Sequence, residues 1–465
     1  MEVEHLLDEF PPVTNEEWER VIHRDLKGAD YAKKLIWHAP EGIEIKPYYR
    51  RDDIVRLAWD EAPVNSSSLG GTRSDGDWRI REEVDAVDLE KANRDAQFAI
   101  ASGAEEISFR RTVINNASDL NLLLVNLTDV PLHFESGSAL LLRLLCDRMR
   151  SKTSSQLISI GMNPLANDDL ATATIRDRPE QLLPFTICTE HLEAEGASAV
   201  HELAFSLASG IEYLAEMNER NVATDLAARA LGFSFSIGAS YFFQIAKFRA
   251  FRELWAQTVT TFGGSREAAR TRINARTSTW NKTIFDPHVN VLRATTEAMS
   301  AVLGGVDSVC VAPFDDCYKV PDAGSRRLAR NTQLMLKHEA LLTRVADTGA
   351  GSYYLESLTA SIGHETWKLM QRIEAGGGYR KAAASGLLEN ILKEARKDRD
   401  KAVIARRRLF TGTNQYADPL EKALGRIDTA RVEAELRGTL SYEQLRLRTE
   451  RFAAETGRTP RVLLA

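Results

Sequence analysis

Short apolar and β-branched runs recur along the middle of the chain, each followed by a stretch with helical periodicity, and this alternation constrains the fold more than any other feature. The runs are EISF (106–109), LNLLLV (120–125), LISI (157–160), FTIC (185–188) and SVCVA (308–312), with helical stretches such as 88–102 and 138–152 between them. A strand followed by a helix and then another strand makes the two strands parallel, because the helix carries the chain back over the sheet. Such units either close into an eight-stranded barrel or open into a doubly wound sheet, and periodicity does not separate the two closures.

A chain of 465 residues, 43% hydrophobic and 27% charged, buries a large core and exceeds one ordinary domain unless that domain is a barrel with extensions. It has no run of about eighteen uncharged apolar residues, and its first residues, MEVEHLLDE, are acidic where a signal peptide is basic and then apolar. The expectation is a cytoplasmic protein without a membrane partner. A net charge of −6 points to no nucleic-acid partner. The basic run KEARKDRDKAVIARRR (393–408) is interleaved with Glu394, Asp398 and Asp400 and has no stacking aromatics, so it reads as a solvated helix face. Cys146, Cys188, Cys310 and Cys317 lack a Cys-x-x-Cys pair and clustered histidines; they read as buried thiols, with no metal and no disulfide framework.

The chain opens with an amphipathic helix around 16–27, followed by an alternating run at 42–47, GIEIKP, that reads as a short strand. NSSSLGGT (65–72) reads as a flexible loop closing this segment. Past 351–356 the pattern is almost wholly helical, broken at Gly376 to Gly378, and 418–465 reads as a charged helical segment without a second core, either a tail or a partner-docking helix. No Walker loop, Gly-x-Ser-x-Gly elbow or paired-histidine zinc helix occurs, and GAGSYY (349–354) only half matches a dinucleotide loop.

The run SYFFQIAKFRAFRELW (240–255) reads as a long helix whose Tyr241, Ile245, Phe248 and Trp255 share one apolar face. It also resembles a Phe-Phe-x-x-Ile-Ala-Lys-x-Arg-Ala-x-x-x-Leu-Trp run of the methylmalonyl-CoA mutase family. ELAFSLASGIEYL (202–214), Thr277-Ser278 with Trp280, Asp286-Pro287, Glu297 to Met299, Leu303 to Gly305 and ARNTQ (329–333) are similar to family segments in the same order. The resemblance covers roughly residues 15 to 415, most densely 185–356. It implies an α/β chain built on a (β/α)8 TIM-type barrel, with an N-terminal arm at 1–72 that docks on a partner subunit, an acyl-CoA mutase-like barrel at 73–355 and a helical C-terminal extension at 356–465.

The resemblance also implies a site, and the site positions are altered. Where catalytic chains carry Trp-x-Ile-Arg-Gln-Tyr, with the tyrosine lying over the substrate, this chain has Trp78, Arg81 and Glu83. A buried carboxylate there needs a cationic partner or takes up a proton. His191 aligns with the family histidine that hydrogen-bonds the substrate thioester and is the best catalytic candidate, but its neighbour is Glu190 instead of tyrosine. The other reading of His191 is a strand-end histidine paired with a carboxylate. The family's Arg-Thr-His-x-Gln-Thr-Ser-Gly-Trp becomes a run holding Asn274 and Arg276, and its Arg-Leu-Ser contact becomes Arg229-Ala-Leu with a one-residue shift. The cobalt-ligating Asp-x-His-x-x-Gly motif has no counterpart: His288 follows Asp286 by two residues, but Val291 stands where glycine is required, so His288 reads as a surface residue at a helix start.

Taken together, the resemblance is to the small, non-catalytic subunit of a heterodimeric adenosylcobalamin-dependent mutase, in a short form without a cobalamin domain. Adenosylcobalamin is then expected on the catalytic large subunit and no cofactor on this chain; the complex is an isomerase, and a homodimer is the fallback when the partner is absent. The alternative is the barrel chain of an acyl-CoA mutase that takes cobalamin from a separate subunit.

Overall fold

The computed structural model describes residues 13–55, 76–151, 156–165, 168–178 and 180–458; the loop expected at 65–72 lies outside them. The arm begins with α1 (Asn15–Asp25), held by a capping box in which Thr14 and Glu17 satisfy each other's backbone N–H groups. A small antiparallel pair follows, β1 (Trp37–His38) with β2 (Glu44–Ile45). Ala39, Ile43 and Ile45 of this hairpin are buried in the main core. Trp18 and Trp37, by contrast, are 47% and 52% exposed.

Eight strand–helix units then make the barrel: β3 (Arg79–Asp85) and α2 (Leu89–Ala101), β4 (Glu106–Arg110) and α3 (Ala117–Leu123), β5 (Leu132–Phe134) and α4 (Ala139–Ser151), and β6 (Ile158–Met162) and α5 (Asp168–Asp177). The second half is β7 (Leu182–Cys188) and α6 (Ala199–Glu219), β8 (Leu231–Ile237) and α7 (Tyr241–Thr261), β9 (Arg272–Thr277) and α8 (Val289–Leu303), and β10 (Ser308–Cys310) and α9 (Ala323–His338). All eight strands are parallel, and β10 closes the ring between β9 and β3, with Cys310 level with Arg276 on one side and Arg81 on the other. Of the two closures that periodicity allowed, the chain takes the barrel.

The core has two parts. One joins β7–β9 to α6, α7 and α8; the other packs β4–β6 against α2, α3 and α4. Every residue of β8 is buried, as expected for a parallel strand with helices on one side and filled barrel on the other. One expected strand is a helix: LNLLLV at 120–125 falls largely in α3, where the Asn116 side chain caps the start by accepting from the Asp119 N–H. A short apolar run does not distinguish a strand from a buried helical turn, and the cap decided it. The strand that follows α3 is the three-residue β5.

Beyond the barrel, α10 (Tyr353–Ala375) packs on α6 and α7, and α11 (Leu387–Ile404), α12 (Thr429–Ala434) and α13 (Leu440–Thr456) follow. The tail has no core made of its own residues alone, but it is not a free tail: it buries apolar side chains against the barrel. Ala423, Val432 and Leu447 bury against Ile284, Phe285, Cys317 and Tyr318, and Val403 and Phe410 bury against Trp280. These contacts place the extension on the loops after β9 and β10. The basic run at 393–408 is likewise not wholly solvated: the guanidinium carbons of Arg399 and Arg408 lie 4.1 and 4.4 Å from the centroid of the Trp280 ring. The aromatic that the run itself lacks is supplied by the barrel.

Candidate functional site

The two-residue period of strands sends alternate side chains into the barrel. On β3 the inward set includes Arg81 and Glu83, and on β9 it includes Arg272, Asn274 and Arg276, whereas Ile80 and Ile273 face the surrounding helices. At mid-height Glu106 of β4, fully buried, accepts from Arg81 Nη2 at 2.8 Å and from Arg272 Nη2. Burial works to raise its pKa, but Arg272 and Arg81 outweigh burial and hold it at about 2. Asn274 Oδ1 accepts from Arg272 Nε at 3.2 Å and from Ser308 Oγ at 2.9 Å. His133 Nδ1 lies 2.9 Å from Ser159 Oγ, and burial keeps that imidazole neutral. The centre of the barrel is therefore filled by paired charges and hydrogen bonds, with Arg81 Nε left buried without a hydrogen-bond partner.

Nearer the C-terminal ends of the strands, Glu83 accepts from Arg276 Nε at 2.8 Å and Nη2 at 3.2 Å, and from Arg110 Nη1 at 3.2 Å. Burial pushes its pKa up, but Arg276 and Arg110 pull harder and leave it at about 2, so the carboxylate has the cationic partners its burial demands. Arg276 also donates to Asp316 Oδ2 at 3.3 Å, and Arg431 of α12 reaches the same aspartate. This chain of charges lines a cavity of about 320 Å³ between β3, β10, α9 and α12, whose wall includes Glu83, Arg110, Asp316, Arg431, Cys310 and Arg330.

On the opposite rim Glu190 accepts from the Ser234 hydroxyl, and burial raises its pKa. His191 is exposed at the start of the short helix Leu192–Glu195 and makes no side-chain cap there. Arg229 lies elsewhere: it ends the helix Thr224–Arg229, which leads into the start of β8, and pairs only loosely with Glu267 at 3.6 Å. Of the residues nominated from sequence, Arg81, Glu83, Asn274 and Arg276 are thus brought together, Glu190 and His191 stand on the rim, and Arg229 sits at the other end of the barrel. Sequence reading missed Glu106, Arg110, Asp316 and Arg431. The alternating charges of RIREE and RINAR were a usable signal that buried counter-charges must exist.

The extension closes this end of the barrel. Arg399 of α11 donates to the backbone carbonyls of Glu193 and, at 2.8 Å, Ala194, in the short helix after β7. Trp280, after β9, is stacked by Arg399 and Arg408 and meets the Phe410 ring at 5.3 Å. The Gly438 N–H donates to the Trp280 carbonyl at 2.8 Å, and a Cβ on Gly438 would stand 2.6 Å from the indole. His288 is exposed just before α8, with its ring 5.4 Å from Phe314. Among the described residues no group of three or more His, Cys, Asp or Glu side chains is placed to hold a metal ion, and no helix is long and apolar enough to cross a membrane.

The family model for methylmalonyl-CoA mutase matches residues 169–457. A methylmalonyl-CoA mutase small subunit from Porphyromonas gingivalis is 35% identical, with 100% of this chain and 80% of the relative aligned. The small subunit from Streptomyces virginiae is 29% identical over 99% of this chain and 80% of its own length. A methylmalonyl-CoA mutase from Rhizobium meliloti is 28% identical over 87% of this chain, which spans 64% of that relative.

Proposed function

Because this chain belongs to the methylmalonyl-CoA mutase family, we propose that it is the small subunit of a heterodimeric mutase that interconverts methylmalonyl-CoA and succinyl-CoA, with a structural rather than a catalytic part in it. The observation that carries this reading is the Glu83–Arg276 pair. The inward groups at the strand ends neutralise one another and lie beneath the chain's own extension, so they are not free to orient a substrate or move a proton. A radical rearrangement takes its radical from the bound cofactor, and the protein's share is to position the acyl group against it. On this barrel the face over Trp280 is filled by Arg399, Arg408 and Phe410, which does not fit adenosylcobalamin; in this reading the cofactor belongs to the large subunit.

In the same reading residues 1–72 form an interface arm, 73–355 the barrel and 356–465 a helical extension. Trp18 and Trp37 support the arm's role, since they are half exposed in the single chain and large aromatics dominate interfaces of this kind. A permanent heterodimer buries upwards of about 2,000 Å². The test is co-expression with the large subunit. Size-exclusion chromatography should give a 1:1 complex that is lost on deleting residues 1–50, and the purified chain alone should show no turnover with methylmalonyl-CoA and adenosylcobalamin, with or without Glu83→Tyr. Turnover by the isolated chain refutes the structural role; a monomer in the partner's presence refutes the assembly.

A further inference from the structure

We propose that Glu83 and Arg276, together with Asp316 and Arg431, form a latch that holds the C-terminal extension shut over the barrel mouth and so denies that face to any cofactor-bearing partner. The path is continuous. Arg110 and Arg276 clamp Glu83 from two sides at 3.2 and 2.8 Å, Arg276 hands on to Asp316 at 3.3 Å, and Asp316 receives Arg431 of α12 through its carboxylate and its backbone carbonyl. The Arg276 side chain, 12% exposed, is held between two carboxylates, one inside the barrel and one in the loop under the extension. That arrangement couples the barrel interior to the extension: loss of either anion leaves the largely desolvated guanidinium under-compensated.

A second fastening works beside it without shared residues. Trp280 lies between the guanidinium groups of Arg399 and Arg408, and Gly438 passes close against its ring. Planar cations stacked on a desolvated indole are among the stronger contacts of this type. Around the latch the cluster of Ile284, Phe285, Tyr318, Ala423, Val432 and Leu447 gives the extension an apolar seat. The positions at which this chain departs from the family's substrate-binding pattern thus have a task of their own. The denial of cofactor docking rests on the family reading given above; the latch does not.

Hydrogen–deuterium exchange on the full-length chain, alone and in complex with the large subunit, separates the two statements. Peptides from 429–456 should be protected in both, and adding adenosylcobalamin to the chain alone should leave them unchanged. Asp316→Asn and Arg431→Gln should each speed exchange in 429–456 by about tenfold while peptides from β8 stay protected, the signature of a sub-global opening. Arg276→Gln tests the same link from the barrel side, and Arg431→Gln, being on the extension, keeps the test valid should a barrel variant fail to fold. Unchanged exchange in Arg431→Gln and Asp316→Asn overturns the latch. Deprotection of 429–456 on adding adenosylcobalamin overturns the denial of docking and leaves the latch standing.

Discussion

Buried charge is handled differently inside the barrel and behind its wall. Behind the wall, the cations of the IAKFRAFR segment each tie α7 to a different neighbour. Lys247 donates to Glu202 of α6 at 2.7 Å and to the Ser236 carbonyl at 2.6 Å; Arg249 reaches Asp347, Glu356 and Thr359; Arg252 joins Asp307 at 2.9 Å and the carbonyls of Gly305 and Thr271. Backbone carbonyls and hydroxyls share the load there. Inside the barrel a single carboxylate sits between two guanidinium groups, Glu106 between Arg81 and Arg272 and Glu83 between Arg110 and Arg276. Redundant partners make a packing device that tolerates loss, whereas one anion shared by two cations, as at Glu106, makes a keystone.

The sharpest way to break the comparison is to remove one carboxylate from each region. Glu106→Gln removes the anion between two buried guanidinium groups, leaving Arg272 with the Asn274 amide oxygen, and should cost about 3–5 kcal/mol in urea unfolding, the usual range for a broken buried pair. Glu202→Gln leaves Lys247 with the Ser236 carbonyl and the contact over the Phe248 ring, and should cost about 1 kcal/mol. Equal costs would erase the distinction.

Acidity gives a second, smaller contrast. Glu106 and Glu83 are held at about 2, so their stabilising effect is present above the ordinary carboxylate range and is lost as pH falls from about 4.5 towards 2. Glu202 and Glu253 go the other way. Burial raises each to about 7 despite Lys247 beside the first and Arg249 beside the second, with Glu193, and then Glu356 and Asp347, adding repulsion. Between about 4.5 and 7 the unfolded chain has released these protons and the folded chain has kept them, so stability falls as pH rises through that window. Thermal unfolding followed from pH 4.5 to 7.5 should show this decline, flattened in Glu202→Gln and Glu253→Gln and untouched in Glu106→Gln. A decline of the same size in all three variants would assign it to other groups.

The two regions also differ in what their sequences disclose. The wall is legible in part because its signals are local: the helix at 240–255 is readable from spacing and its lysine and arginines sit within the same segment, but it is buried on nearly every side and not on one apolar face. Family resemblance settled the closure that periodicity left open. The mouth is only half legible. That a buried Glu83 demands a cation follows from electrostatics, but the cations that answer, Arg276 and Arg110, are 193 and 27 residues away, a pairing set by barrel closure and not by spacing. The tail's docking was missed for the same reason. Its apolar residues are too few to form a core alone, and they become one only against Trp280, Phe285 and Tyr318 of the barrel loops. LNLLLV at 120–125 shows the local limit, where a cap outweighs composition.

Arg229 provides the smallest effect and the control for the whole contrast. The family resemblance placed it among the substrate positions, with a one-residue shift, yet its helix ends at the N-terminal side of β8, away from Glu83 and Arg276 near the other strand ends. Its side chain is 42% exposed and its only ion pair among the described residues is with Glu267, itself 83% exposed, at 3.6 Å. An exposed pair of that length contributes little, because water screens it and both side chains keep their freedom. Arg229→Ala should therefore change unfolding stability by less than about 0.5 kcal/mol and leave exchange in peptides spanning 79–85 and 429–456 as it was. A larger loss, or a loosened mouth, would mean that charge at the floor of the barrel is coupled to the keystone pairs above it, and the separation between wall and interior would have to be redrawn around that coupling.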